Sequence, residues 1–281
     1  MLKRTITSVV SVCILLPVLI LSNTWILPTG IAVVSLIALY EMYKCVGKSK
    51  KIALCAPAYL FAVMSPFLMR LLSEGGAYVG IAFIYAVVYM LYLFLLTVLS
   101  KGEMTFAETG EIFTSSVYII AAMNAIIYVR DFEGGGQYLY LLIFMGAWVT
   151  DIFAYLTGVF FGKHKLIPEV SPKKTVEGSI GGSAFCVISF VIFGLIVDKF
   201  FGAEANLLFL ALSGLAVSVV AQVGDLIMSV IKRRYGVKDY GKIFPGHGGV
   251  LDRFDSVLAT SLALCAICVL AKVTGIALLS L

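Results

Sequence analysis

Three aspartates lie inside or at the edge of strongly apolar segments, where a carboxylate is costly unless its charge is compensated. Asp151 lies in "GAWVTDIFAYLTG", Asp225 in "SVVAQVGDLIMSV" and Asp255 in "GGVLDRFDSVLA". A single carboxylate of this kind is equally well explained as a buried group that hydrogen-bonds to a neighbouring helix. The set of three, with polar residues at regular spacing around it, favours a functional site.

The spacing around Asp225 predicts one polar helix face. Gln222, Asp225, Ser229 and Lys232 follow one another at intervals of three, four and three residues. Residues at such intervals stack on the same side of an α-helix. This face would carry a carboxylate, a hydroxyl and an ammonium group towards the polar end of the segment.

A second pair of carboxylates follows at the start of the next apolar segment. Asp252 and Asp255 are three residues apart, so they also share a helix face, and the connecting hairpin is short enough to bring Asp225 close to both. Carboxylates that converge at low dielectric repel one another unless a cation lies between them. Oxygen ligands favour Mg²⁺ over zinc. We therefore predict that Mg²⁺, alone or with a second cation, is bound by Asp225, Asp252, Asp255 and Asp151.

Two polar segments supply complementary positive charge. "SPKKTVEGSIGG" combines Ser171, Lys173 and Lys174 with small residues at the start of a predicted helix, where backbone N–H groups can meet an anion. This segment lacks the spacing of a Walker P-loop, so the pattern alone is weak. "IKRRYGVKDYGKIFPGHGG" is the second segment. Its cations are Lys232, Arg233, Arg234, Lys238 and Lys242, and its histidine is His247, which is either a plain loop residue or a phosphate contact.

The composition shows which elements must position these residues. The chain of 281 residues is 61% hydrophobic and only 13% charged, whereas soluble domains average about 25% charged and 45–50% apolar residues. So apolar a chain predicts an all-α, polytopic membrane protein, because backbone groups in lipid must be hydrogen-bonded within each span. About nine spans are predicted, over residues 7–22, 25–44, 52–72, 77–99, 113–130, 137–161, 178–198, 205–231 and 254–279.

The distribution of basic residues predicts how these spans are oriented. With the N-terminus in the cytoplasm and the C-terminus outside, 17 of the 21 lysines and arginines lie on the cytoplasmic side of the cell membrane, as the positive-inside rule requires. We divide the chain into an N-terminal region of about five spans (1–135) and a catalytic region of about four (136–281). The polar loops 162–177 and 232–253 would then face the cytoplasm.

At these residues the sequence closely resembles the phosphatidate cytidylyltransferase family. The family pattern is a serine, a basic pair, Lys-Asp, His-Gly-Gly, Asp-Arg and a final aspartate, and every fixed position is matched. The matching residues are Ser229, Lys232, Arg233, Lys238, Asp239, His247, Gly248, Gly249, Asp252, Arg253 and Asp255. The specific resemblance covers roughly residues 146–182 and 222–256.

The resemblance implies a reaction and a set of roles. CTP and phosphatidate would give CDP-diacylglycerol and pyrophosphate at the cytoplasmic membrane surface, catalysed by a homodimer with no nucleic-acid partner. Asp225, Asp252, Lys232 and Arg253 would be catalytic. The substrates would be bound by Ser171, Lys173, Lys174, Ser229, Arg233, Lys238, His247, Gly248 and Gly249.

Other functions share parts of this pattern. An archaeal-type CDP-lipid synthase or a polyprenol kinase would also place a CTP site in a polytopic protein. A cation- or proton-coupled transporter would use membrane carboxylates as an ion relay, but such proteins often have paired halves, and this chain shows no internal symmetry.

Two further polar stretches receive simpler interpretations. "TFAETGEIF" (105–113) is either an interfacial amphipathic helix or a polar loop before the fifth span. Glu41, near the end of the second span, is interpreted as a snorkelling or locally paired surface carboxylate.

Overall fold

The computed structural model describes residues 13, 15–72, 76–244, 246 and 248–280. The chain forms two compact units. Unit 1 comprises Met1–Tyr128 and Val237–Arg253, and unit 2 comprises Val129–Gly236 and Phe254–Leu281. The predicted division at residue 135 into spans with different roles stays a prediction.

Unit 1 is built from long helices. They are α1 (Ile26–Cys45), α2 (Ile52–Leu72), α3 (Ala77–Leu99) and α4 (Phe106–Arg130), whose last two residues belong to unit 2. Residues 15–20 are also helical.

Unit 2 combines long helices with two short pairs of strands. The helices are α5 (Gly136–Leu139), α6 (Leu141–Phe161), α7 (Val176–Phe201), α8 (Leu207–Arg234) and α9 (Leu251–Thr274), whose first three residues belong to unit 1. The first antiparallel pair is the hairpin of β1 (Lys165–Ile167) with β2 (Ser171–Thr175). The second joins β3 (Glu204–Ala205) to β4 (Leu279–Ser280), which are far apart in the sequence.

Eight helical segments within the described residues are long and apolar enough to cross a membrane. They confirm the polytopic helical fold, and most begin and end within three residues of the prediction. The ninth predicted span, residues 7–22, lies largely outside the described residues. Large apolar side chains are exposed on α3, among them Val79, Phe83 and Val98, as expected for a surface that faces lipid.

The start of α4 corrects the interpretation of residues 105–113. These residues form neither an interfacial helix nor a loop, because α4 begins at Phe106 and continues into the span. Thr105 and Glu108 explain this start. The Glu108 N–H donates to the Thr105 hydroxyl at 3.2 Å, and the Thr105 N–H donates to the Glu108 carboxylate at 3.0 Å. Such a reciprocal capping box satisfies donors that have no intrahelical acceptor.

Polar contacts connect the helices of unit 1 inside its apolar core. The hydroxyls of Tyr43 (α1) and Ser116 (α4) lie 2.6 Å apart. The Tyr89 hydroxyl of α3 donates to the Leu54 carbonyl of α2 at 3.0 Å. Tyr43 and Tyr89 are among the largest fully buried side chains, and the hydroxyls of these two tyrosines have the partners that their burial requires.

Small residues allow α6, α7 and α8 to pack closely in unit 2. A Cβ atom at Gly182 of α7 would lie 2.7 Å from the Thr150 carbonyl oxygen and 3.0 Å from the Ala154 Cβ, both on α6. A Cβ at Gly146 would lie 2.4 Å from Val217 on α8. Close backbone approach at small residues is the usual packing of membrane helices, and here it positions the helices that carry the aspartates.

Candidate active site

The polar face predicted on α8 is present in unit 2. Gln222 and Lys232 are buried, and Asp225 and Ser229 are half-buried. The Gln222 amide donates to the Ser183 hydroxyl of α7 at 3.1 Å. The face therefore points into protein rather than lipid, as a polar face in a membrane helix must.

Lys174 of strand β2 forms an ion pair with Asp225 of α8. Their side chains are 23% and 22% exposed, so the pair is partly shielded from solvent. Lys173, the preceding residue, is exposed, because successive side chains in a strand point to opposite sides. The two lysines of "SPKK" therefore have different environments, which the sequence did not distinguish.

Asp225 belongs to a cluster of three aspartates from three helices of unit 2. Asp151 of α6 accepts a hydrogen bond from the Ser256 hydroxyl of α9 at 2.9 Å. Asp255, also on α9, is repelled by the charges of Asp225 and Asp151 and attracted by that of Lys232. We call Asp151, Asp225 and Asp255 the acidic cluster. Of the two aspartates that the sequence predicts to lie close to Asp225, Asp255 interacts with it, and the proximity of Asp252 stays a prediction.

The donor atoms of the acidic cluster suit a hard cation, but the geometry of a metal site is not formed. Carboxylate oxygens are the ligands that Mg²⁺ prefers, and their mutual repulsion favours a bound cation. Among the described residues, however, no group of three or more histidines, cysteines, aspartates and glutamates is arranged to hold a metal ion. The predicted Mg²⁺ ligands therefore stay a prediction.

The hairpin before α7 positions Lys174 through several local contacts. Thr175 caps α7 by accepting a hydrogen bond from the Gly178 N–H at 3.1 Å. Glu177 accepts hydrogen bonds from the backbone of Lys163 and His164, and its carboxylate lies 2.6 Å from His164 Nδ1. Nothing in our sequence interpretation pointed to Glu177, although a glutamate in a first helical turn is a common capping signal.

The remaining family residues lie in the segment Val237–Arg253 of unit 1, which we call the signature loop and which the structure describes except for residues 245 and 247. Phe244 and Gly248 form an antiparallel bridge, with N–H to carbonyl distances of 2.9 and 3.1 Å. Gly248 has φ +90°, and a Cβ there would lie 2.8 Å from Asp252 Oδ2. A residue with a side chain would be strained at this position, which explains the first glycine of His-Gly-Gly.

Asp252 is buried and binds the backbone of the signature loop. Its Oδ2 accepts hydrogen bonds from the N–H groups of Tyr240 at 2.8 Å and Gly249 at 2.9 Å. Arg253 is exposed, and its N–H donates to the Val250 carbonyl at 2.9 Å. Asp252 thus has a structural function in this loop, in addition to the catalytic one expected from the sequence.

Three further predicted substrate-binding residues lie in or beside these segments, but none of the contacts described above involves them. Ser171 opens strand β2 and is half-buried, while Arg233 and Lys238 are exposed at and beyond the end of α8. His247 lies outside the described residues, so its predicted phosphate contact stays a prediction.

The interpretation of Glu41 as a surface carboxylate is wrong. Its side chain is only 2% exposed. Its two carboxylate oxygens accept hydrogen bonds from the N–H groups of Val250 at 3.1 Å and Leu251 at 2.8 Å. A lone glutamate in an apolar segment was the available signal, because a charge in such a segment requires a partner.

Comparisons with known proteins agree with these features. The model of the Cytidylyltransferase family matches residues 2–271. Curated relatives named phosphatidate cytidylyltransferase include proteins from Staphylococcus haemolyticus and Staphylococcus epidermidis, both 33% identical over 256 residues, and Staphylococcus aureus, 34% identical over the same length. Each alignment covers 91% of this chain and 94% of the relative. A match over nearly the whole chain, with the acidic cluster and signature loop in place, shows that this protein belongs to the cytidylyltransferase family.

Proposed function

We propose that this protein is a phosphatidate cytidylyltransferase, which converts CTP and phosphatidate to CDP-diacylglycerol and pyrophosphate in phospholipid biosynthesis. The observation that supports this most directly is the ion pair between Lys174 and Asp225 within the acidic cluster. The cation of this pair, Lys174, is suited to bind phosphate, and the carboxylates beside it are suited to a divalent ion. The names and near-complete alignment of the relatives support phosphatidate as the acceptor.

The chemistry requires positioning more than proton transfer. A phosphomonoester has a second pKa of about 6, so phosphatidate is largely ionised at neutral pH. One of its phosphate oxygens attacks the α-phosphorus of CTP. The bond from the α-phosphorus to the bridging oxygen then breaks, and pyrophosphate leaves with that oxygen. The main barrier is the approach of two polyanions, so catalysis depends on positive charge held in place.

Within unit 2, the phosphates would be held by Lys173, Lys174, Lys232 and Arg233. Lys174 and Lys232 already interact with members of the acidic cluster, which holds their ammonium groups near it. From the family pattern we assign phosphate contacts to His247 and Arg253 of the signature loop as well. Ser171, Ser229 and Lys238 have the same assignment as substrate-binding residues.

Mg²⁺ is the proposed cofactor, with Asp225, Asp151 and Asp255 as ligands in unit 2 and Asp252 as the fourth carboxylate of the family pattern. A bound divalent ion would neutralise charge on the leaving pyrophosphate. The protein's own part is to hold these carboxylates close together, with the Ser256 hydroxyl bound to Asp151 and Lys174 paired with Asp225.

The orientation and assembly are part of the same proposal. The excess of basic residues in loops 162–177 and 232–253 supports a cytoplasmic site in the cell membrane, with the N-terminus inside and the C-terminus outside. Protease accessibility of a C-terminal tag in intact and inverted vesicles tests this. The resemblance also implies a homodimer, which the mass of the purified protein–detergent complex would reveal.

The fate of the CTP phosphates tests the function against its nearest alternative. CTP is labelled either at the α- or at the γ-phosphate and incubated with purified protein, phosphatidate and Mg²⁺. A cytidylyltransferase moves only the α-label into lipid, whereas a polyprenol kinase supplied with polyprenol moves only the γ-label. Absence of the α-label from the lipid would contradict the proposal.

A further inference from the structure

Glu41 connects the first long helix of unit 1 to the signature loop. It lies in α1, four residues before the helix ends, and its side chain is buried. Both of its carboxylate oxygens are used, one by the N–H of Val250 and the other by the N–H of Leu251. This two-oxygen contact joins residues that are 210 positions apart in the sequence.

The contact satisfies the start of helix α9. The first N–H groups of a helix have no acceptor within the helix, and they carry partial positive charge. In most helices a neighbouring residue in the chain supplies the cap. Here Glu41 supplies it from another helix, at Leu251, the first residue of α9, and at the residue before it. The first turn of α9 therefore depends on Glu41 for its cap.

The signature loop is shaped around this carboxylate. A Cβ atom at Gly249 would lie 2.3 Å from Glu41 Oε1, and one at Gly241 would lie 2.0 Å from the same atom. No side chain fits at such distances without displacing Glu41 or the loop. The second glycine of His-Gly-Gly is thus explained by the close approach of Glu41.

Asp252 lies in the same hydrogen-bonding network. It accepts N–H donors from Tyr240 and Gly249, while Glu41 accepts those of Val250 and Leu251. The two carboxylates repel each other, and four backbone donors offset that repulsion. Loss of either carboxylate would leave buried N–H groups without an acceptor, and the loop would shift.

We propose that Glu41 is a positioning residue, which holds the signature loop so that Asp252 and Arg253 have their catalytic placement. The inference rests on the proposed function, because that function assigns catalysis to these two residues. Glu41 acts through the backbone of the loop, and it is not one of the residues of the family pattern.

The test compares Glu41→Gln with Glu103→Gln in the full-length protein in detergent. Glutamine keeps the shape of the side chain but replaces one acceptor oxygen by an NH₂ donor. Glu103 is exposed in the turn before α4 and serves as a matched control. Misplacement of a catalytic group by about 1 Å can cost about 100-fold in rate. We expect Glu41→Gln to lower kcat by about 10- to 100-fold and to leave the KM for CTP within about threefold. Glu103→Gln should match wild type.

Amide hydrogen exchange gives a readout that does not require turnover. Deuterium uptake should rise in a peptide that contains Val250 and Leu251, and it should stay unchanged in peptides from α3. A kcat within about twofold of wild type would overturn the proposal. So would an uptake increase spread over all of unit 1, which would show a purely structural function for Glu41.

One further variant and one measurement on wild-type protein keep the test decisive. If Glu41→Gln does not accumulate as folded protein, Gly249→Ala tests the same contact from the loop side and should show the same loss of kcat. An active Gly249→Ala protein would then contradict the proposal. If wild-type protein transfers no CMP to phosphatidate, the proposed function fails, but the exchange experiment still decides whether Glu41 holds the loop.

Discussion

Lys174, in a short strand, forms an ion pair with Asp225, in the middle of a membrane-spanning helix. The pair connects a polar hairpin of unit 2 to the acidic cluster. Its two members come from sequence segments about fifty residues apart, and each was predicted to be functional for a separate reason. Their contact links the proposed phosphate-binding and metal-binding residues in one place.

Replacement of Asp225 by asparagine should abolish turnover while the protein still inserts and folds. Asparagine has nearly the same shape, but it cannot neutralise the charge of Lys174. It also offers no charged oxygen to a bound cation. We expect kcat/KM to fall by at least about 100-fold, measured as transfer of the α-label into lipid. Asp198→Asn is the matched control, because Asp198 is exposed on α7. An active Asp225→Asn protein would remove Asp225 from the mechanism.

The two adjacent lysines of β2 should differ in their effects. Lys174→Gln removes the partner of Asp225 and a proposed phosphate contact together, so we expect a loss of about 10- to 100-fold in kcat/KM. Lys173→Gln removes a proposed phosphate contact that is exposed to solvent, and it leaves the ion pair of Lys174 with Asp225 intact. Its effect should therefore be several-fold smaller and should weaken further at high salt. Equal losses would show that the orientation of the two side chains in the hairpin does not matter.

The double variant tests whether Lys174 and Asp225 act as a unit. If they do, adding Lys174→Gln to Asp225→Asn should lower activity much less than the same change does in wild-type protein. Additive losses would mean that the ion pair is incidental to function.

Much of this fold follows from local sequence, and the exceptions have identifiable physical causes. Long apolar runs predicted the spans because lipid leaves a backbone little choice but a helix. Residues 105–113 were misread because the Thr105–Glu108 capping box extends the helix beyond its apolar part. The partner of Glu41 could not be predicted, because the contact joins residues 210 positions apart.

The site was predictable to a similar extent. Helical spacing identified the polar face of α8, and the short hairpin after it suggested that Asp225 and Asp255 converge. The pairing of Asp225 with Lys174 rather than Lys173 depends on the register of a short hairpin, and a sequence pattern of two adjacent lysines carries no such register. The binding of the loop backbone by Asp252 was also missed, because one of its donors, the N–H of Tyr240, lies 12 positions away in the sequence.

Removal of divalent cations should stop the reaction, and Asp255 should affect the cation requirement. A chelator is expected to abolish transfer, and added Mg²⁺ should restore it. Because Asp255 interacts with Asp225 and Asp151, Asp255→Asn should raise the Mg²⁺ concentration for half-maximal activity by about tenfold. Full activity in the presence of the chelator would contradict the proposed cofactor.

Close helix packing in unit 2 predicts a stability difference between two glycines. A Cβ at Gly182 would meet the backbone of α6, whereas a Cβ at Gly80 of α3 would meet no atom within 4 Å. Gly182→Ala should destabilise the protein by about 1–3 kcal/mol through overpacking. Gly80→Ala should be neutral or slightly stabilising, because alanine is the better helix former. Thermal unfolding in detergent measures both, and equal midpoints would show that α6 and α7 are not closely packed at Gly182.

The central claim is that this protein joins CMP to phosphatidate, and the most direct measurement identifies both products. Purified protein is incubated with a synthetic phosphatidate of defined acyl chains, CTP and Mg²⁺, and the lipid is analysed by mass spectrometry while pyrophosphate is quantified. The account predicts CDP-diacylglycerol with the same acyl chains and one pyrophosphate for each lipid converted. Unchanged phosphatidate from folded protein, or CDP released without pyrophosphate, would contradict it.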